Sequence, residues 1–184
     1  MGIILKLFRE YFERRKVRKT FEKYVSPSVI KLIEKDPKRY FSAGPQRKHF
    51  QFIIVLMDES KPEEVSPLLS KVVETCFQHG MILDQVFFSL LTAHLGHPFE
   101  EHNNPETRLA VVSEILRENS GSIRVAHGEC TGLVGNFGCP KRFAWGALIP
   151  NFLGILRSLL DAPPGAVLEV PDVRTTSHEA ERCP

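Results

Sequence analysis

The stretch Phe50–Met57, FQFIIVLM, is an apolar run that Asp58-Glu59-Ser60-Lys61-Pro62 ends abruptly. Its length is that of a strand rather than of a helix. A strand apolar at successive positions turns both faces to protein, so the run predicts the central strand of a covered sheet. Glu63 to Phe77 carries Val65, Leu68, Leu69, Val72, Val73 and Cys76 at helical spacing, and His79-Gly80 closes it. Met81 to Leu95 is apolar and aromatic around Asp84-Gln85 and predicts two strands paired as a hairpin. After a polar loop from Pro98 to Asn104, Pro105 to Glu118 predicts a helix with Leu109, Val112, Ile115 and Leu116 facing in. Ile123 to Phe137 predicts a strand whose Gly128, Gly132 and Gly135 mark bulges or close backbone approaches. A short strand at Phe143–Ile149, a helix at Pro150–Leu160 and a last strand at Ala166–Val170 complete the pattern. Helices alternating with an antiparallel hairpin predict an α+β sandwich with a ferredoxin-like core.

The chain has 184 residues, enough for one domain and an appendage. Residues 1–48 hold 14 Lys/Arg and 5 Asp/Glu, and residues 49–184 hold 10 and 17, so +9 and −7 make the net +2. A basic arm on an acidic body implies separate jobs for the two. Ile4, Leu7, Tyr11, Val17, Phe21 and Tyr24 recur at spacings of mostly three and four within the arm. Three uses fit: a short parallel coiled coil, a helix lying on an anionic membrane surface, or packing on the chain's own domain. Nucleic-acid binding has no aromatic or groove-reading motif to support it. No apolar run approaches the ~18 residues of a membrane span, and Cys76, Cys130, Cys139 and Cys183 are scattered. Cytoplasmic residence is the expectation, with membrane association through the arm left open.

Between arm and body stands Tyr24-Val25-Ser26-Pro27. Ser26 precedes a proline and is pushed out of the helical region, so one helix stops near Val25. Ser26 then caps a second helix over about 27–35, opened by Pro27. This expected division gives an arm at 1–26, a body at 27–170 and a polar tail at 171–184.

The corner resembles the lead-in of class III adenylate/guanylate cyclase domains. Leu95-Gly96-His97-Pro98, Gly135-Asn136-Phe137-Gly138-Cys139-Pro140-Lys141-Arg142 and Ala162-Pro163-Pro164-Gly165-Ala166-Val167-Leu168 resemble later motifs of that family, in the same order. The resemblance implies a cyclase-type core and a reaction in which a nucleoside triphosphate closes into a cyclic nucleotide. It also implies two carboxylates holding two magnesium or manganese ions. Asp58 matches the first metal position. The second, counted back from Gly96, falls on Ser89, with Phe88 in place of a phosphate-approaching glycine and Gln85 in place of a base-selecting lysine. Arg157 matches the catalytic arginine, while Leu153 stands where an asparagine is needed and Gly146 where the second base-selecting residue belongs.

The resemblance therefore implies a degenerate cyclase-homology domain, weak or inactive, that works by pairing with itself or with another cyclase domain. No cofactor is expected, and magnesium or manganese only if activity remains. The alternatives are a divergent active cyclase, alone or as half of a heterodimer, and a non-catalytic nucleotide or small-ligand module. His94, His97 and His102 with Glu100 and Glu101 form a second metal-like cluster without the helical spacing of a zinc hydrolase. His127 and Cys130 are close in sequence but point in different directions on a strand.

Overall fold

The computed structural model describes residues 30–31, 34–35, 46–58, 62–96, 104–119, 121–137 and 142–171. The basic arm, the Ser26-Pro27 corner, His97, Glu100, Glu101, His102, Gly138–Lys141 and the tail from 172 lie outside them. So does most of the helix expected over 27–35, of which residues 30, 31, 34 and 35 are helical.

From Gln46 on, the described residues form, in order, β1 (Gln46–Met57), α1 (Pro62–Gln78), β2 (Ile82–Val86), β3 (Leu90–Gly96), α2 (Pro105–Asn119), β4 (Ile123–Phe137), β5 (Arg142–Leu148), α3 (Phe152–Asp161) and β6 (Val167–Val170). The strands form one sheet in the order β2-β3-β1-β4-β5, and β6 pairs with β4 off that path. The α+β architecture expected from the sequence is the one observed.

The Phe50–Met57 run is central, as its composition requires. β1 pairs antiparallel with β3 on one side, from Phe50↔Gly96 to Leu56↔Leu90. On the other it pairs with β4, from Gln46↔Val134 to Met57↔Ile123. It begins four residues earlier than its apolar core because Gln46–His49 still ladder onto β4. Alternation then assigns the side chains. Ile53, Val55 and Met57 join Leu91, Ala93, Ile123 and Val125 beneath α1 and α2. Phe50, Phe52, Ile54 and Leu56 join Ala126 and Cys130 beneath Ile155 and Leu159 of α3. Each fully buried side chain of this size stabilises by about 1.5–3 kcal/mol, before chain entropy is set against it.

Two local findings refine the sequence reading. In α2 the buried residues are Arg108, Val111, Val112 and Ile115, while Leu109 is exposed. The inward stripe thus starts one residue earlier than the apolar pattern predicts, because a cation occupies a buried position. The close approach expected at Gly128 is real: a Cβ there would meet the Val170 carbonyl oxygen at 2.6 Å and the Phe52 ring at 3.1 Å. β6 lies parallel against the first half of β4, from Val125↔Val167 to Gly128↔Val170. β5 takes the second half, from Thr131↔Leu148 to Phe137↔Arg142.

Candidate functional site

The C-terminal end of β1 is pinned from two sides. The Met57 N–H donates to the Ser89 carbonyl at 2.8 Å, and the Asp58 N–H donates to the Ser122 carbonyl at 2.8 Å. Asp58, half-buried, therefore sits between the tip of the β2–β3 hairpin and the turn that leads from α2 into β4. Ser89, the position counted back from Gly96, lies at the hairpin turn next to the end of β1. The Phe87 N–H donates to the Leu90 carbonyl at 2.7 Å, so Phe88 and Ser89 are the two inner residues of the turn. Phe87 and Phe88 are each 58% exposed and Val86 is 41% exposed. These aromatic rings stand out into solvent.

Among the described residues the donors at this end do not fit a two-ion clamp. Asp58 offers a carboxylate and Ser89 does not. The nearest carboxylate along the hairpin, Asp84, is already engaged, since its Oδ2 lies 2.8 Å from Nδ1 of fully buried His94. A register shift between Leu83 and Gln85 in the β2–β3 pairing brackets Asp84. Such an irregularity re-aims a side chain, here towards the neighbouring strand. The His94 ring stands edge-on to Phe50, with centroids 4.7 Å apart. The other ring nitrogen of His94, Nε2, has no hydrogen-bond partner among the described residues. The other members of the metal-like cluster expected around His94, namely His97, Glu100, Glu101 and His102, lie outside the described residues. Among the described residues no group of three or more His, Cys, Asp and Glu converges on one point.

Arg157 is exposed on α3. Leu153, at the position where the resemblance calls for asparagine, is 79% exposed. Asn151 does not replace it. It caps α3 in the left-handed conformation, φ 51°, and its amide lies where a Cβ on Gly154 would be, within 2.7 Å. The structure thus brings Asp58 and Ser89 close together at the end of β1 and leaves Arg157 exposed on α3.

A buried polar cluster on the α1/α2 side escaped the sequence reading. Arg108, 5% exposed, donates from Nη1 to Oε1 of Gln51, and Gln51 Nε2 donates to Oε1 of Glu129 at 2.7 Å. The same guanidinium lies 4.0 Å from carboxylate oxygens of both Glu129 and Glu169. His127 joins it: burial and then the Arg108 charge push its pKa below the ordinary value, with Glu169 pulling the other way. His127 and Cys130 occupy opposite faces of β4, so they form no dyad. Burial pushes the Cys76 thiol up to about 12, which removes it as a nucleophile. The signal available in sequence was a glutamine inside an apolar strand together with an arginine in phase with Val111 and Val112.

No family model and no curated protein matches the chain. Solved structures do. A bacterial light-regulated adenylyl cyclase superposes with a TM-score of 0.52 at 16% identity, over 90% of this chain and 54% of that one. The monomeric guanylyl cyclase domain of the RhoGC fusion protein from the aquatic fungus Blastocladiella emersonii gives 0.50 at 9% identity, over 68% and 82%. The catalytic core of a rhodopsin-guanylyl cyclase with converted specificity, in complex with ATPalphaS, gives 0.50 at 9%, over 68% and 79%. The chain has the fold of cyclase catalytic domains. It spans about half the length of the light-regulated enzyme. At these identities the likeness shows the fold, and activity is a separate question.

Proposed function

We propose that the chain is a nucleotide cyclase homology domain that has lost catalysis and serves as a pairing module in cyclic-nucleotide signalling. The observation that supports this reading is Ser89 at the hairpin turn beside Asp58, where two-ion chemistry needs a second carboxylate. Two metal ions clamp the attacking and leaving oxygens of phosphoryl displacement, so a single carboxylate leaves the clamp incomplete. Leu153 adds a second loss, because an apolar side chain replaces a donor on the helix that carries Arg157. A missing donor of this kind costs about 3–4 kcal/mol, or a hundred- to a thousand-fold. With a metal carboxylate also gone, four or more orders of magnitude are at stake.

The test is product formation by the purified full chain with ATP or GTP and magnesium or manganese. The expected result is no cyclic nucleotide above the protein-free blank. Product that disappears in Asp58→Ala or Arg157→Ala overturns the reading. It would favour instead a divergent cyclase, acting alone or as half of a heterodimer, that uses the two matching positions. A thermal-shift series with nucleotides separates a pairing module from a nucleotide-binding one, which would be stabilised by its ligand.

A further inference from the structure

The polar cluster around Arg108 is built but incomplete. Arg108 and His127 are 5% and 4% exposed, yet Arg108 Nε and His127 Nδ1 have no hydrogen-bond partner among the described residues. A buried donor left unmade is costly, more so on a charged group. The guanidinium offers its N–H groups in a rigid fork. Nη1 is taken, because it donates to Oε1 of Gln51. On the opposite edge Nε is bare, and Nη2 faces only Glu169, whose carboxylate stops 4.0 Å away. That is beyond hydrogen-bond reach. The Nε and Nη2 hydrogens on this edge point the same way, the geometry that takes both oxygens of one carboxylate.

The two glutamates are held differently. Glu129 accepts from Gln51 Nε2 at 2.7 Å and lies 4.0 Å from Arg108 Nη1, so it is fixed from β1. Glu169 stands on β6 opposite His127, and the Val170 carbonyl already fills the space beside Gly128, so the backbone of β6 can come no nearer to β4. Its side chain is 74% exposed and marks the mouth of the cluster. It can swing into water at little cost. Charge then selects the ligand. With His127 neutral, Arg108 at +1 and Glu129 and Glu169 at −1 each sum to −1. A monoanion in place of Glu169 leaves that sum unchanged. A proton taken up by His127 as the anion enters brings it to zero and makes Nδ1 a donor. A dianion has no such balance, and a metal cation would meet the Arg108 charge.

We propose that the Nε/Nη2 edge of Arg108 and Nδ1 of His127 form a binding site for the carboxylate of a small organic acid, which displaces Glu169 at the rim. The site lies on the α1/α2 face of the sheet. Gln51, at its floor, is seven residues before Asp58, about 20 Å along the strand. Occupation of this site is therefore independent of whether the chain turns over nucleotide.

The experiment is a titration of the full chain with sodium acetate at constant ionic strength, read by NMR on the Arg108 Nε–H resonance, which a through-bond correlation to its own side-chain carbons assigns. In the wild-type chain the resonance is expected to shift saturably with a Kd of about 1 mM, within what so small a ligand can reach. Glu169→Gln removes the competing carboxylate at an exposed position and is expected to bind acetate at least about threefold more tightly. Wild-type binding is expected to be tighter at pH 6.0 than at pH 7.5, because a proton enters with the anion, and His127→Gln is expected to lose that difference. Sulfate at the same ionic strength is expected to bind at least about tenfold more weakly, being a dianion and not planar. A resonance that about 50 mM acetate leaves unmoved in both the wild type and Glu169→Gln overturns the proposal, since that is the response of a cluster completed by water alone. Sulfate that saturates as readily as acetate overturns the carboxylate assignment. Equal wild-type affinity at the two pH values overturns the part given to His127.

Discussion

Arg108 and His127 share a buried corner in which one of them must stay neutral. The guanidinium is always charged, and Gln51 is oriented to receive it, with its oxygen towards Arg108 and its nitrogen towards Glu129. Arg108 Nε and His127 Nδ1 nevertheless have no hydrogen-bond partner. A proton added to His127 would face desolvation first and the Arg108 charge second, and Glu169 offsets them incompletely. The unfolded chain takes up this proton near pH 6.5 and the folded chain at lower pH. The stabilising contribution is therefore complete above the unfolded value and is lost as pH falls below it, levelling off once the folded form also protonates. In urea denaturation at pH 7.5 and pH 5.5, the wild-type chain is expected to lose more stability than His127→Gln over the same interval. Equal losses would show that other groups carry the pH dependence. Only Gln51 and Arg108 left a trace of this cluster in the sequence, because His127 and Glu129 read as a plain strand alternation. The partners that make them a cluster are distant in sequence, 57 residues between Gln51 and Arg108 and 78 between Gln51 and Glu129.

At the scale of elements, strands and helices were largely legible because their patterns are long and simple. The run from Phe50 to Met57, apolar at every position but Gln51, has one stable fate, and the period of Val65, Leu68, Val72 and Cys76 leaves one buried face. The hairpin itself was legible from the apolar run Met81–Leu95 broken at Asp84-Gln85. What was not legible is where β6 goes. Its four residues alternate half-buried and exposed, a pattern that many edges would accept. The missing side chain at Gly128 decides the matter, because it lets the backbone of Val170 approach β4. Gly128→Ala therefore pushes against a carbonyl oxygen and a buried ring, neither of which can swing aside as a flexible side-chain end could. Such overpacking costs about 1–3 kcal/mol. Chemical denaturation is expected to show that loss, and unchanged stability would mean that β6 is held loosely. Gly121, with nothing within 4 Å of an added Cβ, is the control and should accept alanine at little cost.

For the whole molecule, one sheet serves two cores. β1 gives Ile53, Val55 and Met57 to the α1/α2 face and Phe52, Ile54 and Leu56 to the α3 face, and β4 divides Val125 and Ala126 in the same way. Neither face can lose its strands while the other keeps them, so the body should unfold in a single step even though its helices lie in separate layers. Val72 on α1 and Leu159 on α3 are both fully buried, one in each core. Leu159→Ala is expected to cost about 2–5 kcal/mol, and Val72→Ala somewhat less because fewer atoms are removed. The two sites lie on opposite faces of the sheet, about 20 Å apart given ~10 Å between packed layers, so they have no shared partner. Their effects on the double variant should then add to within about 0.5 kcal/mol. Circular dichroism and calorimetry should report one coincident transition in all three variants. If Leu159→Ala instead split the melt in two, with the α1/α2 core surviving to higher temperature, the sheet would not be shared energetically.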